Sequence, residues 1–437
     1  MRLLACTLAA ISVFASSTYA NAQARSLEDA LALAQERSNR VAVSEETIRL
    51  LESEEDKVKS EFYPQVRLDA NYSELIEVSS NSFTAPDRFL TIRPDVLIPL
   101  YDGGRRKAKL SIARNETETG RRVLLADKAA LVVDVSTAYV DTIRDMANLE
   151  LAKGQVSVLE ETLSATERRQ SLGDLTLTDV AQARARLLLA DSDLQRAESN
   201  LSTTREIFRE LVGVVPRILL PPPPLPAIPE DVDTAVQAAM RNNYRLMEAR
   251  SRQRAAEETR RLAKKNRNVA VDAFVDASYS NFFETLGGPI AANFEQSEFN
   301  LGVGVRLSVP IYEGGRLKAE RAVAASQSNI ATLKLRQIEE EVVRDLRTLY
   351  AAIETIRARA ENAENAIEAA KLALRGVTAE ETIGNRTILD VLNAQQELLR
   401  TRVLQAEAER DLYVAKVRVI NVIGKSGAGM INAAVVP

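Results

Sequence analysis

The chain carries an internal repeat with a fixed offset of 211 residues. Residues 99–108 read PLYDGGRRKA, and residues 310–319 read PIYEGGRLKA. The same offset relates a second pair of segments and a pair of tyrosines: 171–180 with 382–391, and Tyr139 with Tyr350. Several matches in one register indicate a unit of about two hundred residues that is present twice. The sequence therefore predicts two equivalent halves that build one structure.

The amino-acid composition limits which metal ligands and catalytic groups the chain can supply. Its 437 residues include no His and one Cys, Cys6, and the formal net charge is -4. The usual zinc, copper and haem ligand sets and every Cys or His catalytic arrangement are therefore missing. A charge this small gives no reason to expect nucleic acid as a partner. We expect no enzyme activity and no cofactor or metal.

The first 22 residues have the features of a secretory signal peptide. Arg2 precedes an apolar run, Leu3–Ala15, and small residues follow with Ala20–Ala22 and Ala22–Ala24 as cleavage candidates. The run is shorter than the roughly 20 apolar residues of a membrane anchor. Cys6 is expected to leave with the signal, and no other segment is long and apolar enough to predict a transmembrane helix.

One segment in each half has the alternation of β-strands. From Phe299 to Ile311 the odd positions are apolar and the even positions are Asn, Gly, Arg, Ser or Pro. Together with a similar run from Val269 to Tyr279, this predicts a hairpin at about 269–312, and a less regular one at about 63–101. Strands of about 10 residues with one apolar face match outer-membrane barrels. A soluble sheet is the alternative, but its strands average about 5–6 residues.

The remaining sequence has the heptad spacing of long coiled-coil helices. The first seam of each half has seven-residue steps: Val135, Thr142, Leu149, Val156 and Leu163, then Leu346, Ile353, Ala360, Ile367 and Leu374. Because no Pro occurs from Arg105 to Val215, a helix from about Arg105 to Ser171 would be about 100 Å long. A helix of this length suits a protein that has to span a long distance.

These patterns divide the chain into five parts: a signal peptide (1–22), a first repeat (23–215), a proline-rich linker (216–230), a second repeat (231–424) and a C-terminal tail (425–437). Each repeat is predicted to hold a helix, a β-hairpin and long helices. The linker contains the run PPPPLPAIP and is expected to be an extended connector. The tail is expected to be loose.

Four membrane strands in one chain cannot close a barrel by themselves. An unpaired backbone group costs several kcal/mol in lipid, so the open edges must pair between chains. Two chains would give a filled barrel of eight strands, and three would give twelve strands with room for a lumen. In the repeated phrase, Pro is expected to end the strand. The glycines that follow are expected to turn the chain from strand to helix: Gly103, Gly104, Gly314 and Gly315.

The paired P-[LI]-Y-[DE]-G-G-R phrases and the turn Gly384–Asn393, echoed at Gly173–Val180, resemble the TolC family of outer-membrane efflux proteins. The resemblance spans essentially the mature chain. It implies a mixed fold: a twelve-stranded membrane β-barrel closed by a homotrimer, continued by a long α-helical coiled-coil barrel in the periplasm. It also implies a passive channel in the outer membrane of a Gram-negative cell, docked to a periplasmic adaptor (membrane fusion) protein and an inner-membrane pump. Cargo and class of pump stay open.

In that family the turn between the long helices closes the periplasmic tip. The matching positions in this chain are Thr178, Asp179, Glu381, Arg386, Asp390 and Asn393. The resemblance implies a ring of three Asp390 carboxylates that holds cations, and an Arg386 that pairs across helices. The family often has an acidic residue where this chain has Asn393, and an aromatic one where it has Glu381.

Other interpretations compete with this one. Thr387 with Asp390, and Thr176 with Asp179, have the spacing of capping boxes, so these acids can serve the helix N-termini instead of a gate. A diffusion porin that works alone would not need the long helices. A structural coiled coil that spans the envelope would not need a duplicated hairpin with an apolar face. The combination favours an exit channel.

Overall fold

The computed structural model describes residues 24–76, 86–287 and 292–425. The predicted signal peptide, the tail after Lys425 and parts of both hairpin loops lie outside the described residues. The helices are α1 Leu27–Arg37, α2 Asn39–Ser60, α3 Arg105–Ser171, α4 Leu177–Val212, α5 Val232–Asn242, α6 Tyr244–Lys265, α7 Arg316–Thr382 and α8 Ile388–Ile423. The strands are β1 Gln65–Glu74, β2 Arg88–Tyr101, β3 Ala270–Asn281 and β4 Ser297–Ser308.

The strands form one antiparallel sheet in the order β1-β2-β3-β4. The register aligns one valine from each strand on the same face: Val66, Val96, Val275 and Val303. This face is apolar along every strand, yet on the outer strands it is exposed, with Val66 at 74% and Val303 at 76%. Among the described residues, β1 and β4 each pair on one side only.

Pro99 of the repeated phrase does not end its strand, contrary to the prediction. β2 continues past Pro99 to Tyr101, and its register against β3 shifts between these two residues. A bulge tolerates a residue that lacks an N–H, which explains how the strand passes through Pro99. β4 instead stops at Ser308, two residues before Pro310.

The turns from strand to helix depend on glycine. All four predicted glycines have positive φ, from +58° at Gly314 to +88° at Gly315. In the first turn the Asp102 carboxylate accepts hydrogen bonds from the N–H groups of Gly104, at 3.0 Å, and Arg106, at 2.7 Å. Each turn leads directly into a helix of 67 residues, which is about 100 Å long.

The long helices pack into equivalent cores in the two halves. Val135, Phe208 and Val212 are buried in the first core. Their counterparts at the repeat offset are all buried in or beside the second core: Leu346, Val419 and Ile423. The helix that the sequence predicts over Arg105–Ser171 is α3, with these limits. None of the described helices is long and apolar enough to cross a membrane.

The proline-rich linker is tied to the helices by tyrosine hydroxyls. The Tyr139 hydroxyl lies 2.7 Å from the Leu220 carbonyl oxygen. Tyr350, its counterpart at the repeat offset, donates to the Pro229 carbonyl at 2.7 Å. Burial raises the pKa of Tyr139 to about 12, so its hydroxyl keeps the proton that this bond requires. The linker is therefore fixed at both ends against the two repeats.

Candidate functional site

The helices of each half meet in a short turn about 100 Å from the sheet, at residues 172–176 and 383–387; these are the two tip turns. Gly173 and Gly384 have φ of +88° and +80°, the left-handed conformation that ends many helices. The Asp174 N–H donates to the Arg169 carbonyl at 3.0 Å, closing the end of α3. The Asn385 N–H bonds the Glu380 carbonyl at 2.9 Å in the same way.

Asp390 belongs to a complete capping box at the start of α8. Its Oδ2 accepts hydrogen bonds from the Thr387 hydroxyl at 2.8 Å and the Thr387 N–H at 3.0 Å. These two bonds, the hydroxyl first, hold the pKa of the Asp390 carboxyl below its usual range. Oδ1 accepts no hydrogen bond from the described residues. The carboxylate is thus ionised at neutral pH, and one of its oxygens remains available.

Asp179 holds the equivalent place at the start of α4. Its Oδ2 accepts from the Thr176 N–H at 2.9 Å and from the Thr176 hydroxyl at 2.8 Å. Thr178 lies beside it with an exposed side chain. Both acids that the sequence singles out therefore cap helices in the single chain, as the competing interpretation requires.

Arg386 pairs within its own hairpin. Its Nε lies 2.8 Å from Oε2 of Glu380, near the end of α7, and both side chains are about half exposed. This hydrogen bond raises the pKa of Arg386. Arg386 therefore braces the second tip turn against α7, whereas the resemblance implied a contact between helices.

Two contacts that the sequence analysis did not single out join the α3–α4 hairpin to the α7–α8 hairpin. Arg169 on α3 forms an ion pair of 2.5 Å with Glu381 on α7, whose side chain is only 13% exposed. Arg186 on α4 donates to the amide oxygen of Asn393 on α8 at 2.8 Å. Glu381 and Asn393, both singled out in the sequence analysis, here connect the hairpins.

No pattern in the sequence singles out either arginine. The repeat offset pairs Arg169 with Glu380, and Arg186 with Glu397, whereas in the structure their partners are Glu381 and Asn393.

Apolar packing supports these polar contacts. Leu159 and Ala190 of the first hairpin form one buried cluster with Ile388, Val391 and Leu392 of the second. Since Asp390 lies between Ile388 and Val391 in the chain, the cluster fixes the position of its carboxylate. No group of acidic residues in the described part of the chain is arranged to hold a metal ion.

The family model described as "Outer membrane efflux protein" matches residues 15–214 and 235–425. The chain belongs to this family. Among relatives, BepC of Brucella suis is 26% identical over 333 residues, which cover 76% of this chain and 72% of BepC. TolC of Escherichia coli K12 is 26% identical over 317 residues, covering 68% of this chain and 62% of TolC.

Solved structures share the fold. The outer membrane protein VceC of Vibrio cholerae superposes with a TM-score of 0.76 at 19% identity, covering 91% of this chain and 96% of VceC. The Campylobacter jejuni CmeC outer membrane channel gives 0.79 at 13% identity, covering 92% and 86%. The family and the fold class predicted from the sequence are confirmed. The chain is an efflux channel of the outer membrane with a periplasmic helical extension.

Proposed function

We propose that the chain acts as a homotrimer that forms a passive exit duct, closed at the tip turns and opened by untwisting of the tip helices. A periplasmic adaptor protein and an inner-membrane pump supply energy and cargo, so the chain itself needs no catalytic step. Lipid of the outer membrane surrounds the closed barrel.

The trimer is supported by exposed apolar helix residues that lie on the same sides of the chain as the unpaired strand edges. β4 leads into α7, which exposes apolar residues at heptad spacing: Val323 at 55%, Ile330 at 52% and Leu333 at 61%. On the opposite edge, α2 precedes β1 and exposes Val43 at 67% and Leu50 at 61%, seven residues apart. In a ring of copies, one neighbour buries the α7 seam and pairs with β4, and the other neighbour buries the α2 seam and pairs with β1.

Strand directions allow this closure. Because the sheet has four antiparallel strands, β1 and β4 run in opposite directions, so β4 of one copy pairs with β1 of the next in an antiparallel ladder. Three copies make twelve strands, enough for a lumen, whereas two copies make a barrel filled by side chains. An exit duct requires the larger assembly.

The gate is proposed at the tip turns. Threefold symmetry places three Asp390 carboxylates around one axis, each with Oδ1 free of hydrogen bonds within the described chain. Such a ring attracts cations and opposes anions. The pairs Arg169–Glu381 and Arg186–Asn393 hold the two hairpins of each copy together, so the gate opens only when these pairs break or shift. Thr178, Asp179 and Arg386 complete the proposed gate.

In this proposal the pump, and not the channel, selects the cargo. Relatives carry names as different as "Cobalt-zinc-cadmium resistance protein CzcC" and "Alkaline protease secretion protein AprF", at 22% and 24% identity. A shared duct associated with such different cargo is consistent with selection by the pump rather than by the duct.

Single-channel recording in a planar lipid bilayer tests the proposal. We expect a small conductance that a trivalent cation blocks from the tip side only. Asp390→Ala should raise the conductance and abolish the block. Thr387→Ala is the matched control, because it removes the cap but keeps the carboxylate, and the block should persist.

Three outcomes would contradict parts of this proposal. A large conductance that ignores Asp390 would indicate a porin that works alone, and no current at all would leave only a structural role. Native mass spectrometry in detergent should give three copies of the mature chain, and a stable dimer would exclude the proposed lumen.

A further inference from the structure

A groove of about 850 Å³ lies between the proline-rich linker and the helices α7 and α8. Its floor combines Ile353, Leu412 and Tyr413 of α7 and α8 with the charged residues Glu354, Arg357 and Glu409 of the same helices, while residues 222–230 form one wall. Its volume is within the range of specific binding pockets. It lies far from the tip turns, because Tyr413 is about 38 Å along α8 from Ile388, and the gate makes no use of it.

The linker wall offers hydrogen-bond acceptors but few donors. Five of its nine residues are Pro and have no N–H: Pro222, Pro223, Pro224, Pro226 and Pro229. Tyrosine hydroxyls occupy the carbonyls of Pro223 and Pro229. The carbonyls of Pro224, Leu225 and Pro226 accept no hydrogen bond from the described residues. An occupant that matches this wall must carry N–H donors along an extended line, as a peptide does.

The chain itself continues close to this groove. α8 ends at Ile423, and its last turn is fixed against the α5–α6 junction, where the Asn243 side chain donates to the Val422 carbonyl at 2.8 Å. From Gly424 back to Lys416, at the near end of the groove, is about 12 Å along the helix. The exit point of the tail is therefore set by the fold.

We propose that the C-terminal tail, residues 426–437, folds back and occupies this groove. Its sequence is SGAGMINAAVVP. At full extension the segment SGAG spans up to about 14 Å, enough to reach Lys416, and the apolar segment MINAAVV then extends about 23 Å. Nine linker residues in a polyproline-like conformation span about 28 Å. The apolar part of the tail thus fits the length of the wall, and its main chain supplies the missing N–H groups.

Cysteine cross-linking tests this occupant, since Cys6 is the only natural cysteine and can be replaced by Ser. In that background, Ala227→Cys in the groove wall and Ala433→Cys in the tail should form a disulfide within one chain under mild oxidation. The matched control pairs Ala433→Cys with Leu372→Cys, which is 65% exposed but lies well away along α7, and should not cross-link.

Deletion of residues 426–437 gives a second readout. It should lower the melting temperature by several degrees and make Ala227→Cys react faster with a maleimide, while the single-channel conductance stays unchanged. The proposal is overturned if the disulfide links two chains, if it does not form, or if deletion leaves the labelling rate of Ala227→Cys unchanged. None of these results depends on the gate.

Discussion

Arg169 and Glu381 lie 212 residues apart in the chain and form the closest ionic contact between the two hairpins, at 2.5 Å. The Glu381 side chain is largely buried. A carboxylate with little access to water interacts with its partner more strongly than an exposed one. The pair therefore opposes separation of the hairpins at the tip.

Breaking this pair should loosen the tip. For Glu381→Gln we expect the ratio of open to closed channel to rise about fivefold, which corresponds to a coupling of about 1 kcal/mol. Arg169→Gln should have the same effect, and the double variant should resemble either single one. The exchange Arg169→Glu with Glu381→Arg should restore closure, as judged by single-channel recording.

A matched control exists on α4. Arg196 pairs with Asp193 at 3.0 Å within one helix, and both side chains are well exposed. Exposed pairs of this kind contribute little, so Arg196→Gln should leave the open–closed ratio unchanged. An equal effect at both positions would show that loss of positive charge, rather than the contact between hairpins, opens the channel.

The sequence predicts the local features of the tip but not its contacts. Capping boxes follow from a spacing of three residues, and the limits of α3 follow from the absence of Pro and the Gly-Gly before it. The pair Arg169–Glu381 depends on how far each hairpin is rotated about its axis. That rotation is set by buried residues such as Leu159 and Leu392, which heptad spacing alone does not align.

The strand ends show the same limit. The alternation of apolar residues predicts both hairpins and the apolar face. It does not predict that β2 passes through Pro99, because the bulge there arises from pairing with β3, which belongs to the other repeat. The sequence of one repeat does not reveal the contacts that form between the two repeats.

A charged side chain introduced among the exposed apolar residues of α7 should dissociate the proposed trimer. Ile330→Glu puts a carboxylate on the exposed heptad face of α7, where a neighbouring copy would have to bury it at a cost of several kcal/mol. We expect monomers in analytical ultracentrifugation in detergent. Ile218→Glu, on an equally apolar and 71% exposed residue of the linker, should remain trimeric. Trimers in both variants would exclude α7 from the interface.

Alkaline pH should weaken the attachment of the linker. Burial raises the pKa of Tyr139 to about 12, while an unfolded tyrosine titrates near 10. Its contribution to stability is therefore complete below about pH 10 and is lost as the pH rises towards 12. Between pH 9 and 11 the melting temperature should fall further for the natural chain than for Tyr139→Phe. Equal falls would contradict the raised pKa.

Two glycines should respond to alanine in opposite directions. Gly315 precedes α7 with φ of +88°, and although no atom would touch an added Cβ, the left-handed backbone itself costs about 1–2 kcal/mol for alanine. Gly154 lies within α3 with equally open surroundings, and there alanine should stabilise the helix by about 1 kcal/mol. Melting temperatures should fall for Gly315→Ala and rise for Gly154→Ala. If both melting temperatures rose, Gly315 would not have the left-handed conformation in the assembled channel, because no neighbouring atom limits an added Cβ at either position.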